Sequence, residues 1–139
     1  SGGSMGGTGA LTFAARNPKL VDGVVALNGT ADLVHYSKFQ EAIAESFGGT
    51  RAEVPDEYRA RSALYFPERF TMPIASTTGG ADTVVPAKSV LELLAAVRRH
   101  NASVLSLHRE QGGHSTNYKD TVEALEFVLD RITFNEAAD

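Results

Sequence analysis

Gly2-Gly3-Ser4-Met5-Gly6-Gly7 opens the chain and decides how the rest of it is read. The six residues fit G-x-S-x-G, the pattern of a sharp strand-to-helix turn that presents a serine hydroxyl at the edge of a sheet. Gly2 and Gly6 flank the serine where a β-carbon is expected to collide with neighbouring backbone. From Met5 to Arg16 the pattern is helical, carrying Leu11, Phe13, Ala14 and Ala15, and it stops at Asn17, because the residue before Pro18 is pushed out of the helical region. A flexible Gly/Ser linker is the competing reading. Against it, Gly6, Gly7 and Gly9 lie within the helical pattern, where each glycine costs about 1 kcal/mol relative to alanine, so close packing against another backbone is expected there.

Working outward, three short apolar segments read as strands: Val21 to Asn28, Met72 to Thr78 and Ser103 to His108. The first is near-continuous in Val24, Val25, Ala26 and Leu27, as expected for a strand covered on both faces. Ala87 to His100 reads as a helix through Val90, Leu91, Leu94 and Val97, and its last turn carries Arg98, Arg99 and His100, which suit the negative end of the helix dipole. A last helix, Lys119 to Ile132, places Val122, Leu125, Leu129 and Ile132 on one face. The order is helix, strand, inserted region, strand, helix, strand, helix. That alternation predicts an α/β fold with a mainly parallel sheet and crossover helices.

Residues 31–70 form the inserted region, with a helix predicted from Ser37 to Phe47, a stop at Gly48-Gly49 and a second short helix after Pro55. It is expected to be a helical cap between two strands. Tyr36, Phe39, Phe47, Tyr58, Tyr65 and Phe66 lie in it, and either line an apolar pocket or form its own core.

Two further glycine-rich loops follow the second and third strands. Gly79-Gly80-Ala81-Asp82-Thr83-Val84-Val85-Pro86 puts a carboxylate at the C-terminal end of a parallel strand, the side on which such sheets hold their sites. Taken alone, Asp82 serves equally well as a turn residue or helix cap. Glu110-Gln111-Gly112-Gly113-His114-Ser115 places an imidazole on a loop that two glycines let swing over the sheet edge, within reach of a serine proton. A lone loop histidine is commonly structural. The three residues gain meaning together: each follows a different element, and their order Ser, Asp, His matches one of the known orders of the serine triad.

On G-G-S-M-G-G, G-G-A-D-T-V-V-P and G-G-H-S, the chain resembles the C-terminal half of the α/β-hydrolase superfamily, near its prolyl oligopeptidase-like and small esterase branches. The resemblance runs from Ser4 to about Ile132. It implies that Ser4 attacks an acyl carbon, that His114 acts as base and then acid, and that Asp82 orients the imidazole. It further implies that the backbone NH of Met5 is one oxyanion-hole donor. Residues 1–139 then form the C-terminal part of a single α/β-hydrolase domain whose N-terminal segment is the expected partner. The strand leading into the elbow and the loop with the second oxyanion donor are expected in that segment. Loss of one such donor typically costs about 100-fold to 1000-fold in rate, so these residues alone are expected to be a poor enzyme. Asp32 is a second candidate for the acid, since some hydrolases carry it after the preceding strand; the glycine-rich loop and following Val85-Pro86 favour Asp82.

The implied function is a serine hydrolase working through an acyl-enzyme, on a small-molecule carboxylic ester by preference, with a prolyl oligopeptidase-like peptidase or a catalytically silent binding member as alternatives. No cofactor and no metal are expected: His35, His100 and His108 show no ligand spacing, and there is no cysteine to supply a thiolate. The formal net charge of -4, with scattered Lys and Arg, gives no patch for a phosphate backbone, so nucleic acid is not an expected partner. A Walker-type phosphate loop is disfavoured too, because Gly2 to Gly9 lacks the Lys-Ser/Thr ending. No apolar run is long enough to span a bilayer, and no membrane partner is expected.

Overall fold

The computed structural model describes residues 1–138. Four parallel strands, β1 (Gly2–Gly3), β2 (Val24–Leu27), β3 (Ile74–Gly79) and β4 (Val104–Arg109), lie side by side in sequence order. Helices α1 (Met5–Arg16), α4 (Lys88–Val97) and α5 (Tyr118–Ala138) separate or follow them, and α2 (Gln40–Phe47) and α3 (Pro55–Ala60) lie between β2 and β3. The fold is the predicted α/β arrangement. One element was not foreseen: Gly2 and Gly3 themselves pair with Ala26 and Leu27, so the end of the strand that leads into the serine turn is present.

The sheet is covered on both faces, and side-chain alternation along the strands divides the core in two. Val24, Ala26 and Ile74 point to one side, where they meet Leu11, Ala14 and Ala15 of α1 and Val90, Leu93, Leu94 and Val97 of α4. Val25 and Ala75 point to the other, against Ala124 and Val128 of α5. The apolar face of α5 is therefore turned relative to the predicted one, and Leu129 is exposed. Gly23 explains part of this: a β-carbon there would lie 2.3 Å from Val128 and 2.8 Å from Ile132, so the helix seats in the space that glycine leaves, and β2 starts at Val24 rather than Val21.

Residues 31–70 do two things. Their second half belongs to the core: Ala63 and Phe70 are buried with Met72 against α1 and α4, and carry the chain across from β2 to β3. Their first half, from Tyr36 through α2, buries no residue of α2. This half is tied to the rest by Tyr36, whose hydroxyl donates to the Val84 carbonyl, and by Arg51, which donates to the Tyr36 carbonyl and Gln40 Oε1. Tyr58 is buried and packs edge-on against Phe47. The helix predicted from Ser37 begins only at Gln40, because Phe39 takes a left-handed conformation at φ 53°.

Candidate active site

Ser4 sits between β1 and α1 at φ 53° and ψ -117°, outside the regions that a residue with a β-carbon ordinarily occupies. Such a conformation costs about 1 to 3 kcal/mol and persists only where the surroundings impose it. Here the Ser4 NH donates to the Leu27 carbonyl at 2.7 Å, and the Ser4 carbonyl accepts from Thr8 as α1 begins. Gly2 is required: a β-carbon there would lie 2.3 Å from the Gly6 carbonyl oxygen. Gly7 is required as well, since a β-carbon there would lie 2.9 Å from the Leu27 oxygen, and its absence lets α1 come down onto β2. Gly6 and Gly9 face open space, so the expected backbone collision at Gly6 and close packing at Gly9 do not occur. Met5 opens α1, so its NH has no partner within the helix and belongs to the helix's positive end.

The loops after β3 and β4 are pressed together. Gly80 and Ala81 donate backbone hydrogen bonds to the carbonyls of Arg109 and Gly112, and a β-carbon at Gly79 would lie 2.3 Å from the Gly112 oxygen. This contact brings Asp82 beneath His114. Asp82 Oδ1 accepts from the NH groups of Val84 (2.9 Å) and Val85 (2.8 Å), and its Oδ2 lies 2.8 Å from His114 Nδ1. His114 Nε2 lies 2.8 Å from Ser4 Oγ. An ionised carboxylate only accepts, so Nδ1 carries the ring proton and Nε2 presents a lone pair to the serine hydroxyl. The structure thus brings Ser4, His114 and Asp82 into one hydrogen-bonded line. The Asp82 side chain is 1% exposed and that of His114 29%, so the acid is sealed while the imidazole faces the outside.

Asp32 stands apart from this line. It accepts from the NH groups of Val34 and His35 and pairs with His35 Nδ1 at 2.7 Å, in a turn of its own. The His35 side chain is largely exposed. His108 meets Thr78 Oγ1 at 2.8 Å and Glu110 at 3.5 Å, and His100 is exposed beyond the end of α4. Tyr36 and Tyr65, with Asp32, Leu64 and Ser89, line an open groove of about 460 Å³ that reaches Pro86 of the acid loop. Among the described residues no group of three metal-ligating side chains comes together, and no helix is long and apolar enough to cross a membrane.

Residues 1–134 match the family model described as the prolyl oligopeptidase family. The chain belongs to the prolyl oligopeptidase family. Among solved structures, this family member is similar to a puromycin hydrolase, at 26% identity and a TM-score of 0.74, over 96% of this chain and 21% of that one. It is also similar to the Pyrococcus horikoshii acylaminoacyl peptidase (16% identity, TM-score 0.68, 97% of this chain and 22% of that one). A Paleococcus ferrophilus monoacylglycerol lipase shares the fold at 17% identity and a TM-score of 0.63, over 95% of this chain and 66% of that one. The prolyl oligopeptidase-family chain thus spans about a fifth of the puromycin hydrolase, 21% of its length. No curated protein matches it. The α/β-hydrolase fold expected from the three glycine-rich motifs is the fold these structures share.

Asp82 and Asp120, both buried carboxylates, contribute to the acid side of the protein's stability. Burial pushes Asp82 up, but the Val85 NH, the His114 imidazole and the Val84 NH outweigh it and leave its carboxyl below the ordinary value. Asp120 is lowered chiefly by its hydrogen bonds to Arg109, which clamp the end of β4 to the start of α5 at 2.9 and 2.6 Å. For a carboxyl lowered in the folded state, the unfolded chain takes up protons first as pH falls. The stabilisation is therefore complete above the unfolded value of about 3.9 and is lost as pH drops through the folded values. The melting temperature of the full-length protein should fall as pH drops below about 4, and Asp120→Asn should lower it at pH 7 by more than at pH 3. Thermal melts of the two proteins across that range check this, and an equal loss at both pH values would contradict it.

Proposed function

We propose that the protein is a serine hydrolase in which Ser4 is the nucleophile, His114 the general base and then acid, and Asp82 the carboxylate that orients and stabilises the imidazolium. The observation that carries this reading is the pair of 2.8 Å contacts running from Ser4 Oγ through His114 to Asp82, with the serine held at positive φ where a helix begins. In the first step Ser4 Oγ forms a bond to the acyl carbon as its proton passes to His114 Nε2. The carbonyl oxygen becomes an oxyanion facing the Met5 NH and the positive end of α1. Collapse expels the leaving group, which takes the proton from His114, and leaves an acyl-serine that water cleaves by the same sequence in reverse. No cofactor enters these steps. The part of residues 31–70 not built into the core, from Tyr36 through α2, is assigned the role of a cap, tied to the acid loop through the Val84 carbonyl.

A carboxylic ester is the substrate class the sequence favours, and a peptide is the class that family membership favours. Both pass through the same tetrahedral state. The test uses the full-length protein: fluorophosphonate labelling mapped to its residue, then kcat/KM for an ester and an amide that share one acyl group. Labelling at Ser4 with turnover supports the reading, and the ratio of the two rates assigns the substrate class. An unlabelled, inactive protein would identify a silent member of the fold.

A further inference from the structure

Three polar side chains outside the Ser4, His114 and Asp82 line converge beneath the histidine loop. Asn28 stands at the end of β2 at φ 52°, a left-handed conformation that asparagine tolerates better than most residues. It is buried, and its NH donates to the Thr77 carbonyl of β3. Its side chain reaches the third loop: Nδ2 donates to the Gly113 carbonyl at 3.3 Å, and Oδ1 lies 2.6 Å from the hydroxyls of both Thr77 and Thr116. Those two hydroxyls are 2.7 Å apart. The amide orientation is fixed by this set, since a flipped Asn28 would set oxygen against the Gly113 carbonyl oxygen.

The loop needs such a hold. Among the described residues its backbone–backbone hydrogen bonds stop at Gly112 and resume at Asn117, so His114 lies in the stretch between them. Gly113 adds freedom there, since a β-carbon on it would meet nothing within 4 Å. Beside the loop is a cavity of about 80 Å³, lined by Asn28, Thr77, Gly113 and Thr116 among others. The contacts of Asn28 to Gly113 and Thr116 fall on either side of His114.

We propose that Asn28 and Thr116 are positioning residues for His114: they pin the two flanks of its loop to the ends of β2 and β3, and so set the distance from Nε2 to Ser4 Oγ. This rests on the reading of Ser4, His114 and Asp82 as a triad. Displacement of a catalytic group by about 1 Å can lower a rate about 100-fold, and the binding of substrate elsewhere is untouched by it.

The test compares Asn28→Asp, Thr116→Val and Thr116→Ser with wild type in the full-length protein. Asn28→Asp keeps size and acceptor but sets oxygen against the Gly113 carbonyl. Thr116→Val keeps shape and removes the hydroxyl, whereas Thr116→Ser keeps it. Asn28→Asp and Thr116→Val are expected to lower kcat and the rate of fluorophosphonate labelling about 10-fold to 100-fold with KM within about twofold, and Thr116→Ser is expected to restore near wild-type rates. Should Asn28→Asp not fold, the two Thr116 variants decide. Undiminished kcat in Thr116→Val, a loss confined to KM, or equal loss in Thr116→Ser and Thr116→Val overturns the inference while wild type is still labelled at Ser4. Wild type that is not labelled at Ser4 overturns the triad and this inference together.

Discussion

Ser4→Ala in the full-length protein is expected to abolish covalent labelling by a fluorophosphonate and to lower kcat on the order of a million-fold, the loss seen when a triad nucleophile is removed. The expectation rests on the Ser4 Oγ contact to His114 and on where several other hydroxyls are committed. Ser62 and Ser76 are buried and donate to the carbonyls of Tyr58 and Ala26, and Ser89 is engaged with Thr30 and the Ala31 NH. Thr78 does meet an imidazole, that of His108, but it is buried within β3, whereas Ser4 stands at a strand-to-helix turn. Intact-mass analysis after labelling checks the result. A mass shift retained in Ser4→Ala, mapped to Thr78 or elsewhere, would move the nucleophile.

Asp82→Asn carries the second largest effect, about 10,000-fold in kcat, and the structure says why so isosteric a change should be severe. One carboxylate oxygen is held by the NH groups of Val84 and Val85. An amide in its place must offer its own oxygen to those two donors, which leaves its NH2 facing His114 Nδ1. The ring then carries its proton on Nε2, opposite Ser4, and has no lone pair for the serine proton. Asp32→Asn should have far less effect, because Asp32 is paired with His35 rather than His114. Steady-state kinetics on the two variants decide, and the reverse ranking would move the acid to the end of β2.

The sequence carried β2, β3, β4, the helices and the choice of Ser4, Asp82 and His114 as candidates because each is announced locally. A glycine pair follows or closely trails an apolar run, a G-x-S-x-G turn precedes a helical pattern, and such grammar is written within a few residues. What escaped is set by contacts between distant segments. Gly23 reads as one more strand residue until α5 is seen filling its missing side chain. Phe39 gives no sign that its left-handed backbone delays α2 to Gln40. Gly6 and Gly9 look as constrained as Gly2 and Gly7, yet only at the latter two would a β-carbon strike backbone. Asn28, Thr77 and Thr116 come from the end of β2, from β3 and from the histidine loop, and nothing in the neighbourhood of any one of them points to the others.

Ser4, Asp82 and His114 hang from the ends of β1, β3 and β4, strands joined through β2 in fixed parallel register. A slip of one residue in any pairing would slide its loop about 3.3 Å and turn its side chains to the opposite face of the sheet. On the proposed reading Ser4 is therefore a register gauge: it is expected to become reactive only in molecules whose three pairings have all closed in the right place. Parallel pairing over long sequence separations is slow compared with chain collapse. During refolding, the appearance of label on Ser4 would time the last of these closures, an event that circular dichroism, which responds as soon as the helices form, passes over.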